Sequence, residues 1–440
     1  MTRLIEMLIS LAIVAGLFLL VAIFLPSQRN LQETIETNRK MTIVYDTLNS
    51  LRRFKDWNPL VLRDPKVQLK LSGPDAGVGA RLDYTSTVSQ IGSGSWELTE
   101  SEPNKLIQYK LENNQRGSNK TMRFELEPTG RSGRNVQITQ KYHVDYGWSL
   151  LGRYAGLYVS RNVGDDMSMG MSRLANMFAS VPNVDYKVQG TRLENLRHVD
   201  LPAEDLLVVS AGSVERNNLT IQNSMKSNME WINRTIAASG LEKAGPMRII
   251  STELGRENYT FEVVQPVRKS GSGSADATDT KDEAADEEEK KDEATADAGA
   301  APVKTPALPT APVRAAAGPE LTGLKLQGPV TYMRQPARPS ATATYVGFMA
   351  ELENVRNALR AWAMTQGHEP SGRPYEVYKN GIDKAFTADA NQQPQGQFDV
   401  YWDLKVPGAA PAAPAAATPA AAPAPAEPAA EPAAEGDTAE

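Results

Sequence analysis

Acidic side chains near the C-terminal end of the chain stand among aromatic residues. Glu376 lies between Tyr375 and Tyr378 in "YEVY", and the same part of the chain contains Tyr345 and Trp402. Strand alternation would put Glu376 and Tyr378 on one face. A carboxylate enclosed by aromatic rings could bind a cationic ligand or act as a general base. A solvated strand acid is the commoner role for such a residue, so both interpretations stay open.

Other residue types with catalytic chemistry are scattered or missing. His143, His198 and His368 are far apart, and none lies in an H-x-H or H-E-x-x-H spacing. The chain has no cysteine, which excludes disulfides, thiolate metal ligands and a cysteine nucleophile. There is no G-x-S-x-G elbow and no P-loop. We therefore expect no metal and no cofactor, and we assign no catalytic residue.

The first 27 residues predict a membrane anchor. Residues 7–25, "MLISLAIVAGLFLLVAIFL", carry no charge and are long enough to cross a bilayer as a helix. A cleaved signal peptide is the alternative, but the run is long and no A-x-A-like site follows it. We expect an uncleaved single-pass anchor over 1–27 in the inner (cytoplasmic) membrane, with the body in the periplasm.

Alternating segments after the anchor predict an antiparallel sheet. Each runs 8 to 12 residues between Gly, Pro, Asn or Ser clusters, and together they are "ARLDYTSTVS", "GSWELTES", "KLIQYKLE", "TMRFELEP" and "NVQITQKYHVDY". Met167, Met171, Leu174 and Phe178 then recur at helical spacing. This pattern predicts a long helix laid on the sheet, which is a helix-grip arrangement.

Several of these pieces together resemble the polyketide-cyclase branch of the START-like (SRPBCC) superfamily. They are "FKDWNPL", "SGPDAGVGARLDY", "IGSGSWELTESEP", "RFELEPTGRSGRNVQ" and "LLGRYAGLYVSRNVGDDMSMGMSRL". The resemblance implies a START-like domain over 28–180, with an apolar cavity between a curved sheet and its last helix. Trp57 is then a candidate for the cavity mouth, although an aromatic residue after a helix is as often plain core. The glycines of residues 72–103 lead into strands and hairpins, which indicates an architectural role rather than a phosphate loop.

The second half of the folded chain shows a sequence pattern that predicts two copies of one structural unit. After a linker at 181–197, residues 198–267 and 320–406 each give strand, helix, turn, strand and final strand. The final strands "FEVVQPV" and "FDVYWDL" align Phe261 with Phe398. The expected arrangement is two units packed about a pseudo-two-fold axis.

This half resembles the GyrI-like effector-binding domain, a duplicated α+β fold that takes small molecules in a groove between its copies. In that family a carboxylate on the last strand often faces the groove. The resemblance places Glu262 there, with Asp399 at the matching position of the second copy. With Glu376, Tyr378, Trp402, Tyr345 and Trp57, these residues form our predicted ligand-binding set.

Two segments are too poor in large apolar residues to form a core. Residues 268–319 are an acidic Ala/Pro-rich insertion, and residues 407–440 are a Pro/Ala-rich acidic tail, so we expect both to be disordered. The net charge of −6 includes −8 from residues 276–297 and −5 from the tail, which leaves +7 on the remainder. Because that excess is not clustered, nucleic-acid binding is not expected.

The predicted fold class is therefore α+β, with an N-terminal transmembrane helix, a helix-grip antiparallel-sheet domain and a duplicated domain holding a disordered insertion. We expect a membrane-tethered protein that binds a small hydrophobic or aromatic ligand, rather than an enzyme, and the sequence names no protein partner. The alternative is a polyketide-cyclase-like or Glu-dependent hydrolytic enzyme that acts on a small apolar substrate.

Overall fold

The computed structural model describes residues 2–187, 193–255, 257–271, 319–389 and 391–406. The tail at 407–440 and all but the ends of the insertion at 268–319 lie outside this part of the chain. Within it, the predicted α+β class with antiparallel sheets is confirmed.

The N-terminal helix α1 spans Thr2–Phe24. In the part of the chain that the structure describes, it is the one helix long and apolar enough to cross a membrane, a property that signal sequences share. Nearly all of its large apolar side chains are exposed. Strand β1 follows after three residues.

The first sheet has seven antiparallel strands in the order β1-β7-β6-β5-β4-β3-β2. Its strands are β1 Gln28–Thr37, β2 Gln68–Ser72, β3 Arg81–Thr85, β4 Ser93–Glu102, β5 Leu106–Asn113, β6 Ser118–Thr129 and β7 Asn135–Asp145. The helices of this N-terminal unit are α2 Met41–Leu48, α3 Phe54–Trp57, α4 Leu60–Arg63, α5 Leu150–Ala155 and α6 Asp165–Ser180. Five of the strands follow the predicted alternation, whereas β2 carried too few apolar residues to be recognised.

Helix α6 buries the predicted stripe of Met167, Met171, Leu174 and Phe178 in the core that the sheet lines. Gly94 on β4 permits a close approach on the same inner surface. A Cβ atom there would lie 2.4 Å from the hydroxyl oxygen of Tyr84. This glycine is therefore architectural, as expected.

Among the described residues, the second sheet has nine strands, in the order β13-β9-β12-β11-β15-β16-β14-β8, with β10 paired to β12. The strands are β8 Leu193–Leu201, β9 Glu204–Glu215, β10 Leu241–Lys243, β11 Arg248–Leu254, β12 Asn258–Lys269, β13 Thr331–Gln335, β14 Arg338–Val346, β15 Tyr375–Tyr378 and β16 Gln397–Asp403. The helices of this C-terminal unit are α7 Asn218–Ser239, α8 Leu352–Thr365 and α9 Gly381–Ala385.

This strand order is approximately symmetric about the β11–β15 pair. Ile250 pairs with Glu262, and Val377 pairs with Asp399. If the two acids occupy equivalent positions in the two repeats, Ile250 is equivalent to Val377. The preceding residues, Ile249 and Glu376, are then equivalent as well. Ile249 and Glu376 pair with each other. Such self-pairing of equivalent positions is what a two-fold axis between two repeats requires.

The leading strand of each predicted repeat lies on the edge of the other one. β8 pairs with β14, and β13 pairs with β9. Residues 193–197, which the sequence placed in a linker, are therefore part of β8. The linker prediction overlooked this strand because its partner is remote in sequence, and the proposed domain limits stay a prediction.

Helix α8 joins the two units because it is buried on two sides. Leu352, Val355 and Leu359 pack in the core of the second sheet. Ala358, Ala361 and Met364 pack in the core of the N-terminal unit.

Candidate ligand-binding site

The N-terminal unit holds a cavity of about 150 Å³ between its sheet and helix α6. It is lined by the α3–α4 region, the β3–β4 hairpin, the end of β5 with its following turn, strands β6 and β7, and the first half of α6 with the residues just before it. The lining includes Trp57, Leu60, Arg63, Tyr84, Ile91, Trp96, Leu111, Met122, Gln140, Tyr142, Val163, Asp166, Met167 and Gly170.

One wall of the cavity is a cluster of aromatic rings. Trp57 and Trp96 meet edge to face with ring centroids 6.2 Å apart, and Trp57 meets Phe124 in the same way at 5.8 Å. Such edge-to-face packing holds rings rigidly and presents apolar surface to a ligand. Trp57, predicted for the cavity mouth, is 3% exposed and belongs both to the lining and to the core.

Polar side chains interrupt the apolar lining at the sheet. Gln140 is 3% exposed, and its Nε2 donates to Sδ of Met122 at 3.1 Å. Its Oε1 has no hydrogen-bond partner among the described residues. Burial raises the pKa of the neighbouring Tyr142, so this hydroxyl stays protonated at neutral pH. The lining thus combines apolar side chains with a comparable share of groups able to hydrogen-bond.

The sequence carries a signal for Gln140, which the predicted ligand-binding set omits. On β7 the inward positions are Ile138, Gln140, Tyr142 and Val144, all of them buried. An amide in an otherwise apolar inward row is unusual, because a buried polar group needs a partner. The presence of this polar residue at an inward-facing position is the sequence signal that could have identified Gln140 as a candidate cavity residue.

An ion pair stands at the edge of the cavity. Nη2 of Arg63 lies 2.5 Å from Oδ1 of Asp166, and both side chains are partly exposed. Burial raises the pKa of the Asp166 carboxyl, and the charge of Arg63 lowers it in part. Asp166 is therefore an acid with a raised pKa at the edge of the cavity.

In the second unit, the predicted site residues divide between two faces of the sheet. We call the face against α7 and α8 the covered face and the opposite one the open face. Ile250 pairs with both Glu262 and Tyr375, which sets these three on the open face. Glu376 and Tyr378 alternate with Tyr375, and they lie on the covered face. The sequence predicted that Glu262 lies near Tyr378 and Trp402. The structure places Glu262 on the opposite face of the sheet from both, so this prediction is wrong.

On the covered face, Glu376 is fully buried in an ion pair. The Arg356 guanidinium donates through Nε to Oε1 and through Nη2 to Oε2, the latter at 2.9 Å. Tyr378 is 1% exposed, and its hydroxyl has no hydrogen-bond partner among the described residues. Glu376 is therefore neither solvated nor open to a ligand, because Arg356 occupies both of its oxygens.

The aromatic residues of the covered face are core. Tyr345 stacks on Phe398 with ring centroids 5.9 Å apart, and its hydroxyl contacts Glu351. Trp402 packs against the same core, and the guanidinium of Arg360 lies 5.7 Å from its ring centroid. These two side chains contribute to packing.

The open face carries the other predicted acids together with a charged aromatic cluster. Oε1 of Glu262 lies 3.9 Å from Nη1 of Arg373, and Oδ2 of Asp399 lies 3.6 Å from Nζ of Lys379. Tyr375 stacks on Tyr401 at 5.1 Å. The charged and aromatic members of this face include Glu204, Arg248, Glu262, Arg338, Tyr375, Asp399 and Tyr401.

A doubly hydrogen-bonded ion pair on the open face links Glu204 to Arg248. Nη1 and Nη2 of Arg248 donate to Oε2 and Oε1 of Glu204, at 2.7 and 2.5 Å. Burial raises the pKa of Glu204, but the hydrogen bonds and charges of Arg248 and Arg338 together outweigh this effect and hold the pKa below its usual value. Glu204 is therefore ionised at neutral pH, and its ion pair with Arg248 holds both side chains in place on the open face.

The N-terminal unit matches a known protein family. Residues 28–178 match the family described as polyketide cyclase / dehydrase and lipid transport. No curated protein matches the chain.

Solved structures similar to the chain include norcoclaurine synthase from Thalictrum flavum in complex with dopamine and hydroxybenzaldehyde. It is 15% identical, with 34% of this chain and 87% of that chain covered and a TM-score of 0.27. The C-terminal domain of EcmrR is 12% identical, with 48% and 97% covered and a TM-score of 0.30.

Proposed function

We propose that this protein is a membrane-tethered binding protein whose N-terminal unit holds one small hydrophobic ligand. The observation that carries the proposal is the cavity between the sheet and α6, with Trp57 and Trp96 in its wall. The match of residues 28–178 to a family that includes lipid transport supports it.

The size of the cavity limits the ligand. A cavity of about 150 Å³ is the size that accepts a benzene-like molecule. The ligand class is therefore a single ring, or one ring or short chain of a longer molecule that extends through the mouth. Gln140 supplies a hydrogen-bonding group for a hydroxyl on that ring.

The anchor in the proposal is α1. Its length suits a hydrocarbon core of about 30 Å, and its side chains are almost entirely uncovered by protein. A large domain that follows a span can be translocated largely regardless of the charges beside the span, which suits an orientation with the body outside the cytoplasm. We therefore place the protein in the inner membrane with its body in the periplasm.

The open face of the C-terminal unit is our proposed second ligand site, with Glu262 and Asp399 as its acids. Both side chains retain access to solvent, at 30% and 21% exposure. Their nearest cations stand at the long end of ion-pair distance, so a ligand could displace them. The stacked Tyr375 and Tyr401 supply aromatic surface on the same face.

Acid–base catalysis in the N-terminal cavity is the second candidate function. Asp166 favours it, because burial raises the pKa of this carboxyl at the cavity edge. Replacement of Asp166 by Asn would abolish turnover of a substrate while leaving its binding intact. Under the binding proposal, the wild-type protein turns over no substrate, and the Asp166 variant still retains the bound ligand.

Mass spectrometry of the molecules released from the purified, unfolded protein tests the binding proposal. We expect a small apolar compound from the wild-type protein and from Lys110→Trp, and none from Leu111→Trp. Leu111 lines the cavity, whereas Lys110 is the exposed neighbour on the same strand. Equal recovery of one compound from both tryptophan variants would contradict the cavity as its site.

A further inference from the structure

The segment after β7 exposes a group of large apolar side chains. Trp148 is 83% exposed, Leu151 56%, Leu157 48% and Tyr158 62%. We call these four residues the interfacial patch. Single exposed apolar residues are ordinary on protein surfaces, whereas a contiguous group of them marks a contact surface.

This segment is fastened to the end of α1. Nη1 of Arg153 donates to the carbonyl oxygen of Ile23 at 2.8 Å and approaches those of Ala22 and Leu25 at 3.4 and 3.3 Å. The carbonyls of Ala22 and Ile23 belong to the last turn of the helix and that of Leu25 follows it, so none of them has a partner within the helix. Arg153 therefore fixes the patch relative to the apolar helix.

A second contact reaches further down the helix. Tyr154 stacks on Phe18 with ring centroids 4.1 Å apart, and its hydroxyl donates to the carbonyl oxygen of Phe18. Phe18 precedes the end of α1 at Phe24 by six residues, or about 9 Å along the helix axis. Helix α5 thus lies beside the apolar helix below its C-terminal end.

We propose that the interfacial patch is inserted in the surface of the bilayer that α1 spans, so that the cavity entrance faces the membrane. The inference rests on the proposed anchor and deepens the proposed function. Trp and Tyr favour the interface between lipid and water, where their polar atoms stay hydrated. Arg161, exposed one turn beyond Tyr158, lies where anionic headgroups would be.

The turns that line the cavity lie at the same end of the sheet as α1. α1 joins the sheet at Gln28, which pairs with Asp145 at one end of β1 and β7. The turn between β5 and β6 lies at this end, since Ser118 also pairs with Asp145. The β3–β4 hairpin lies there too, because Gly94 pairs with Asn113.

Both turns contribute to the cavity, through Gln90, Ile91, Asn113 and Gln115. The first half of α6 completes it, and α6 continues from the segment that carries the patch. The cavity therefore opens at the membrane end of the unit, and its ligand is a molecule that partitions into lipid and enters from the bilayer.

Single-cysteine labelling of the full chain tests this inference, and it needs no background substitutions because the protein has no cysteine. We would label Trp148→Cys and Leu157→Cys with an environment-sensitive fluorophore. The variants are then reconstituted in phosphatidylcholine and phosphatidylglycerol vesicles that contain brominated acyl chains. Arg131→Cys is the matched control, because Arg131 is exposed in the hairpin at the opposite end of β7.

We expect labels at 148 and 157 to shift to the blue and to be quenched by the brominated lipid, whereas the label at 131 is not. Emission at 148 and 157 that matches the control would overturn the inference, as would failure of the protein to associate with vesicles. Titration of the same variants with toluene in detergent separates the two proposals. Quenching without toluene binding supports the membrane contact and contradicts the binding function.

Discussion

The imidazole rings of His198 and His368 lie with their centroids 4.2 Å apart at the junction of the two units. His198 also stacks on Trp362 at 4.6 Å. Both ring nitrogens of His198 and Nε2 of His368 lack a hydrogen-bond partner among the described residues. Burial and then the charge of Arg52 lower the pKa of His368, and burial together with His368 lowers the pKa of His198 to about 3.

Acidification is expected to destabilise the protein through this pair. Both pKa values are depressed by folding, so the unfolded chain binds the protons first. The stabilising contribution is complete above the unfolded pKa of about 6.5 and is lost as the pH falls toward about 3. In this window protonation of His198 alone costs up to about 1.4 kcal/mol of unfolding free energy per pH unit, and His368 acts in the same direction.

Urea unfolding between about pH 5 and 7 measures this effect. The double variant His198→Phe/His368→Phe is expected to lose part of the pH dependence, and His143→Asn is the control on a partly exposed histidine. Parallel curves for the wild-type protein and the double variant would show that the pair is not the cause.

The buried pair of Arg356 and Glu376 gives a second prediction. Glu376→Gln leaves a buried guanidinium without its counter-charge, which is expected to cost about 3–5 kcal/mol of unfolding free energy. The double variant Arg356→Met/Glu376→Leu removes both charges and is expected to be near the wild-type protein in stability. Urea unfolding compares the two, and a single variant as stable as the double one would contradict this account.

The proposed open-face site predicts a change in binding without a change in stability. Glu262→Gln is expected to weaken an aromatic cation such as benzyltrimethylammonium by about 1–3 kcal/mol, because it removes the charge and keeps the shape. Asp399→Asn is expected to act in the same direction, and both melting temperatures stay near that of the wild-type protein. Calorimetric titration measures the binding, with the exposed Glu369→Gln as control. Equal affinity in all four proteins would remove Glu262 and Asp399 from any site.

Excision of residues 270–317 is expected to leave the C-terminal unit folded. The backbone N–H of Ser270 donates to the carbonyl of Gly240, and the backbone N–H of Lys325 donates to the hydroxyl of the adjacent Ser239, so the flanking segments are already close. Closing a shorter loop costs little. A thermal melt would show a cooperative transition like that of the full chain.

A longer excision that also removes Leu321 and Leu324 is the control, because both side chains pack on the core of the second sheet. It is expected to lower the melting temperature. Loss of the cooperative transition in the shorter excision would show that the inserted segment is structural.

The sequence predicted those features that depend on local periodicity. Tyr109 and Leu111 alternate with the exposed Lys110 on β5, and such alternation identifies a strand without knowledge of its partners. The helical stripe of Met167 and Met171 identified α6 in the same way. The existence of the cavity, by contrast, was inferred from resemblance.

Long-range pairing could not be predicted in this way. Alternation fixed Glu376 and Tyr378 on one face, but only the register of β11 with both of its neighbours shows that Glu262 lies on the other. His198 and His368 meet because β8 crosses to the edge of the second repeat, beside the end of α8. No local pattern encodes such a contact, since it depends on how distant segments pack.

The central claim is that the N-terminal cavity binds one small apolar molecule, and calorimetric titration with toluene tests it most directly. The wild-type protein and Lys110→Trp are expected to bind toluene with equal affinity, whereas Leu111→Trp, whose indole fills the cavity, is expected not to bind. Gln140→Leu should still bind toluene but bind phenol less well, because the amide no longer meets the hydroxyl. Absence of toluene binding to the wild-type protein, or unchanged binding to a folded Leu111→Trp, would contradict the claim.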